Sequence, residues 1–163
     1  MLLALGVGTA ALSSLGCRDV TAPTQDPATV AYAAALGIRL SDYTKDTSGV
    51  YYRDVAVGSG NVAVPKSTLT YYSTGFLADG RQFDTSVNGA VRTFVLGNAE
   101  VRGIDRGLLG VRAGGRRYLI IPPALGYGNT SVLTAVPAGS VLFYQIDVPS
   151  VTPPAATTTT TSG

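Results

Sequence analysis

Between Gly49 and Val148 only one stretch, residues 101–111, keeps apolar side chains at helical spacing, with Val101, Ile104, Leu108 and Val111 on one face. Everything around it reads as short β runs cut by turn residues. Residues 50–57 are rich in Tyr and Val and stop at Gly58-Ser59-Gly60, while residues 67–77 stop at Asp79-Gly80, a strong hairpin signal. Residues 82–84, 92–96 and 116–121 read as further strands, with 86–90 a loop and Pro122-Pro123 closing the last of them. The clearest strand is 142–148, where Leu142, Tyr144, Ile146 and Val148 alternate with Val141, Phe143, Gln145 and Asp147, so one face is predicted to be buried. Gly103, Gly107 and Gly110 each cost the helix roughly 0.5 to 1 kcal/mol relative to alanine, so it must depend on packing against that face. The predicted fold class is therefore α+β, an antiparallel sheet with a single short helix on one face.

Composition narrows the chemistry. A chain of 163 residues supports one core plus appendages. Charged residues make up 13% and the net charge is +2, which leaves no phosphate-tracking stripe and argues against nucleic acid as a partner. With no histidine and one cysteine, the usual zinc site, a Ser-His-Asp triad and a Cys-His nucleophile pair are all excluded. No cofactor or metal is expected, and the chemistry must be non-covalent or run on carboxylates. Arg102, Arg106, Arg112, Arg116 and Arg117 read as solvated residues on the outer face of a helix and a strand.

The two ends differ from the middle. Residues 2–16 are almost entirely apolar or small, too short to span a bilayer but suited to a signal peptide. They stop at Ser14-Leu15-Gly16-Cys17, which resembles a bacterial lipobox and implies lipid attachment at Cys17. The alternative is a free, buried thiol in an N-terminal core helix. Two features depart from the lipobox pattern: Ser14 stands where leucine is usual, and no Lys or Arg precedes the apolar run. The polar, Pro-punctuated stretch 18–27 reads as a tether. A short helix is plausible from Asp26 to about Leu40, with Asp26 capping, Pro27 in the first turn and Gly37 ending it. The predicted organisation is a signal peptide at 1–16, a lipid-anchored tether at 17–47, one domain at 48–150 and a disordered Pro/Thr-rich tail at 151–163. Such a chain belongs in the cell envelope, facing the periplasm or the exterior, and a monomer is expected.

Three blocks then take on meaning together: "STGFLADGRQFDTS", "VLGNAEVRGIDRGLLGVRAGGRRYLIIPPALGYG" and "VPAGSVLFYQIDV". In order and spacing they resemble the FKBP-type peptidyl-prolyl cis-trans isomerases over about 100 residues, 49–148. The resemblance implies a curved antiparallel sheet half-wrapped around one short helix, with the active pocket between them. It also implies isomerisation of prolyl bonds in polypeptides and no cofactor. Carried over residue by residue, it puts Phe83, Ile104 and Tyr144 on the walls of a proline slot. The hydroxyl of Tyr127 and the backbone N–H of Val101 would bind substrate carbonyls, and Asp84 would orient polar groups at the rim. Phe94, Val136 and Ser73 complete the implied substrate-binding set.

Read without the resemblance, Phe83, Phe94 and Tyr144 are equally plain core residues at strand spacing, and Asp84 could be a turn cap. Tyr127, flanked by Gly126 and Gly128, is harder to place in a core. The chain departs from the family in three places. Ile104 stands where tryptophan is usual, Ser73 aligns with a pocket tyrosine while Tyr71 and Tyr72 lie nearer the strand start, and residues 98–102 are one residue short. The function expected is therefore a prolyl isomerase serving exported proteins, the alternative being a module that binds peptides or a partner with weak or no activity.

Overall fold

The computed structural model describes residues 24–89, 91–130 and 135–155. The signal-like segment, Cys17 and the threonine run lie outside them. Seven strands form one antiparallel sheet: β1 (Thr44–Lys45), β2 (Tyr51–Ala56), β3 (Thr68–Leu77), β4 (Gln82–Thr85), β5 (Arg92–Val95), β6 (Gly115–Ile121) and β7 (Leu142–Thr152). The order is β1-β2-β6-β7-β3-β4, and β5 also pairs with β3. β4 bonds to the end of β3 at Thr74–Phe76 and β5 to its start at Thr68–Tyr71, so the two share one edge. The hairpin at Asp79-Gly80 forms as its residues predict, with Gly80 at φ 90°, a conformation costly for any residue bearing a Cβ. β7 runs two residues past the predicted domain end: Val151 is buried and pairs with Leu69, and Thr152 pairs with Thr68.

The helix, α1 (Arg102–Gly107), is shorter than the 101–111 pattern. Leu108 and Val111 remain buried because the turn that follows stays on the sheet. Its glycines have a packing reason. A Cβ on Gly103 would lie 2.2 Å from the Ile121 side chain, and one on Gly107 would lie 2.5 Å from that of Leu119. Only a bare backbone lets the helix approach β6 that closely, and the apolar surface this buries offsets the poor helix propensity. The inner core gathers Leu69, Leu77, Ile104, Leu108, Leu119, Ile121, Tyr144, Ile146 and Val148.

The outer face of the sheet is covered as well, contrary to the one-sided reading of 142–148. Tyr43, Ile120, Val141 and Phe143 form a second buried cluster, and Val30, Tyr32, Leu36, Ile38 and Leu40 pack against it. Residues 24–43 are thus part of the domain and not a tether. The helix predicted for 26–40 does not form. Asp26 does cap one turn, accepting from the Ala28 amide at 2.7 Å. Its continuation is diverted because the Ala33 amide donates to Ala78 O at 2.8 Å, a tertiary bond that holds the backbone extended. Two 3-10 turns follow, Ala34–Leu36 and Leu40–Asp42, the first ended by Gly37 at φ 60°.

Arg117 also overturns its expected place. Its side chain is only 5% exposed, and its guanidinium grips Asp54 through two bonds of 2.7 and 2.9 Å. It donates to the carbonyls of Gly107 and Leu109 at the end of α1 and lies 4.7 Å from the Tyr52 ring centroid. A buried cation at a helix C-terminus satisfies carbonyls that the helix leaves orphaned.

Candidate functional site

β3, β4, β7 and the start of α1 converge on a pocket of about 230 Å³ lined by Tyr71, Phe83, Asp84, Arg92, Ala99, Glu100, Val101, Ile104, Tyr127 and Tyr144. Phe83 is the hinge of its aromatic wall. Its ring meets Tyr144 at 5.5 Å and Tyr127 at 6.5 Å, both edge-to-face, the arrangement that π quadrupoles favour. Gly75 makes that wall possible. A Cβ there would come within 2.7 Å of Phe83 and 2.9 Å of Tyr144. Ile104, almost fully buried, closes the floor from the helix side.

Asp84 is held by Arg92, whose two terminal nitrogens each donate to one carboxylate oxygen at 2.6 Å. A planar fork on a carboxylate is the strongest common ion-pair geometry. Arg92 was not singled out by sequence, since its partner lies eight residues away across an irregular loop. Ser73 is not on the pocket wall. Its amide donates to Ser86 Oγ at 3.0 Å and its carbonyl accepts from the Ser86 amide at 2.8 Å, which clips β3 to the loop after β4. The pocket tyrosine is Tyr71, two residues earlier on the same face of β3. A register irregularity between Thr70 and Tyr72 accompanies it. Phe94 does not line the pocket either. It stacks edge-to-face on Tyr71 at 5.3 Å and so supports that ring from behind. Val136 is buried in the inner core and is absent from the lining.

The shortened link before α1 is fixed by Asp105, which accepts from the amides of Gly97 at 2.7 Å and Ala99 at 3.0 Å. Its carboxylate thereby sets where Glu100 and Val101 meet the pocket. Tyr127 is set by a compact turn in which the Gly128 amide donates to Pro123 O, with Gly128 at φ 64°. The N-terminal segment pins the same loop. The Gln25 amide donates to Gly139 O and the Val141 amide to Gln25 Oε1, each at 2.8 Å. This strap lies within the stretch 17–47 whose composition reads as a tether, and its partners are more than 100 positions away.

Burial pushes the phenols of Tyr71, Tyr127 and Tyr144 above their ordinary value. For Tyr144 the neighbouring Tyr127 adds to the rise. All three are neutral donors at neutral pH. Arg92 is pushed up chiefly by its hydrogen bond to Asp84. Among the described residues no group of three or more carboxylates or thiols could hold a metal. A separate hollow of about 250 Å³ lies between Pro65, Leu96 and Leu109, but it has no aromatic wall.

Residues 60–149 match the FKBP-type peptidyl-prolyl cis-trans isomerase family. The 46 kDa FK506-binding nuclear protein of Spodoptera frugiperda is 36% identical over 105 residues, which are 63% of this chain and 26% of that protein. The chloroplastic photosynthetic NDH subunit of lumenal location 4 of Arabidopsis thaliana is 33% identical over 161 residues, 91% of this chain and 74% of that one. Among solved structures, FkpA from Escherichia coli superposes with a TM-score of 0.64 at 28% identity, over 74% of this chain and 55% of its own. The chain spans about a quarter of the nuclear protein it matches. The family match covers more than half of the sequence, and the chain belongs to the FKBP-type peptidyl-prolyl cis-trans isomerase family.

Proposed function

We propose that the domain accelerates cis-trans isomerisation of prolyl bonds in polypeptides by stabilising the twisted amide in the Phe83–Tyr144–Ile104 pocket. The observation that carries this reading is the edge-to-face ring wall with the neutral Tyr127 hydroxyl beside it. Rotation about a peptide bond crosses a barrier of about 18 to 20 kcal/mol because it breaks amide resonance. The planar amide carries the charge separation of that resonance, and the twisted one loses it. An apolar, water-poor slot therefore favours the transition state over the ground state, which is what catalysis requires. Tyr127 and the Val101 amide hold the flanking carbonyls, and the Asp84–Arg92 pair keeps the rim rigid.

No proton needs to move. The chain has no histidine and its pocket phenols are shifted upward, so the acceleration of peptide relaxation is expected to stay nearly flat from pH 5.5 to 8. A bell-shaped profile would show that an acid or base controls the step.

The domain acts outside the bacterial cytoplasm, as a monomer tethered by lipid on Cys17, on proline-containing segments of exported proteins. Support for this comes from the composition break at Cys17 and from the slow uncatalysed step, roughly 10 to 100 s, that such proteins face. Intact mass of membrane-extracted protein is expected to give a chain starting at Cys17 with acyl groups, and Cys17→Ser is expected to release a folded protein. A soluble chain retaining Met1 would contradict the anchor. A second reading, a binding module with little turnover, is favoured by two observations: Ile104 where the family carries tryptophan, and a relative whose name is that of a complex subunit. Ile104→Trp separates them, since it raises turnover only if a small floor limits an existing activity.

A further inference from the structure

We propose that Glu100 makes the pocket selective for polypeptides that carry lysine or arginine next to the target proline. The proposal rests on the isomerase reading and adds the class of substrate. Three acidic or basic side chains line the pocket: Asp84, Arg92 and Glu100. Two of them cancel, because the Arg92 fork occupies both oxygens of Asp84 at 2.6 Å. Glu100 is exposed at the rim, and among the described residues it makes no hydrogen bond or ion pair. The cations nearest in sequence face elsewhere. Arg102 donates to Ala124 O at 3.3 Å and, with Arg106, lines the separate hollow near Leu109.

The Glu100 carboxylate stands on a fixed stretch of backbone, since Asp105 accepts from the Gly97 and Ala99 amides just before it. Its field reaches the reacting region, for it contributes to the upward shift of both Tyr71 and Tyr127. A proline ring seated among Phe83, Ile104 and Tyr144 puts the neighbouring residues of the peptide at that rim. A cationic neighbour then gains what an exposed pair gains, about two- to fivefold at low salt, and an anionic neighbour loses a similar factor.

The test uses peptides that differ only in Lys, Gln or Glu beside one proline, in one series before it and in another after it. Both the catalysed relaxation rate and the calorimetric Kd are measured with the full domain. In at least one series the Lys peptide is expected to exceed the Glu peptide by about fivefold at low ionic strength, falling toward parity at 1 M NaCl, where the Debye length is about 3 Å. Glu100→Gln is expected to bring the ratio toward one at low salt, by lowering the Lys peptide and raising the Glu peptide. Turnover with no charge preference, or a preference that survives Glu100→Gln, overturns the assignment. A Kd preference lost in Glu100→Gln, with no turnover of any peptide, upholds Glu100 and overturns the isomerase reading instead.

Discussion

Replacing Arg117 with alanine is expected to lower the unfolding free energy by about 3 to 5 kcal/mol, as for other buried ion pairs broken on one side. The guanidinium is nearly sealed from solvent and serves four acceptors at once: both oxygens of Asp54 and the carbonyls of Gly107 and Leu109. Removing it leaves those carbonyls unpartnered inside the protein and detaches the end of α1 from β2. The adjacent Arg116 provides the control. Its side chain is 50% exposed and its pair with Asp147 lies on the outer surface, so Arg116→Ala is expected to cost about 1 kcal/mol or less. Denaturant unfolding of the two variants reads the difference directly. Equal costs would mean that Arg117 does not bridge helix and sheet in solution.

The largest loss of activity is expected from Phe83→Ala, about 10- to 100-fold in kcat/KM, while Tyr127→Phe is expected to lose about two- to tenfold. Phe83 touches both Tyr127 and Tyr144, so its removal deletes a wall and admits water to the slot. Each tenfold corresponds to about 1.4 kcal/mol of transition-state stabilisation, a plausible share of one large apolar side chain. Tyr127→Phe keeps the ring and removes one hydroxyl, worth about 0.5 to 1.5 kcal/mol net. The reverse order of the two losses would mean that carbonyl binding, and not the apolar wall, dominates.

The strands were legible because alternation and turn glycines are local signals, and β7 and the Asp79-Gly80 hairpin follow from them with few errors. Phe83, Asp84, Val101, Ile104, Tyr127 and Tyr144 meet in one pocket, as the family blocks imply. What was not legible depends on partners distant in sequence. Tyr71 and Ser73 point to the same face, so alternation cannot choose between them; the ring contact of Tyr71 with Phe94 and its place in the pocket lining do. Arg117 reads as surface because its acceptor on β2 is 63 positions away. Residues 24–43 carry scattered apolar side chains suited to a helix or an extended strap, and the outer face of the sheet decides. Phe143 and Ile120 need a cover, and the Ala33–Ala78 bond fixes its path.

The most direct measurement is the cis-to-trans relaxation of a short prolyl peptide in the presence of the chain from residue 18 onward. The rate is expected to rise in proportion to protein concentration and to fall at least tenfold in Phe83→Ala. A folded wild type and a folded Ile104→Trp that both leave the relaxation at its uncatalysed rate would contradict the isomerase account.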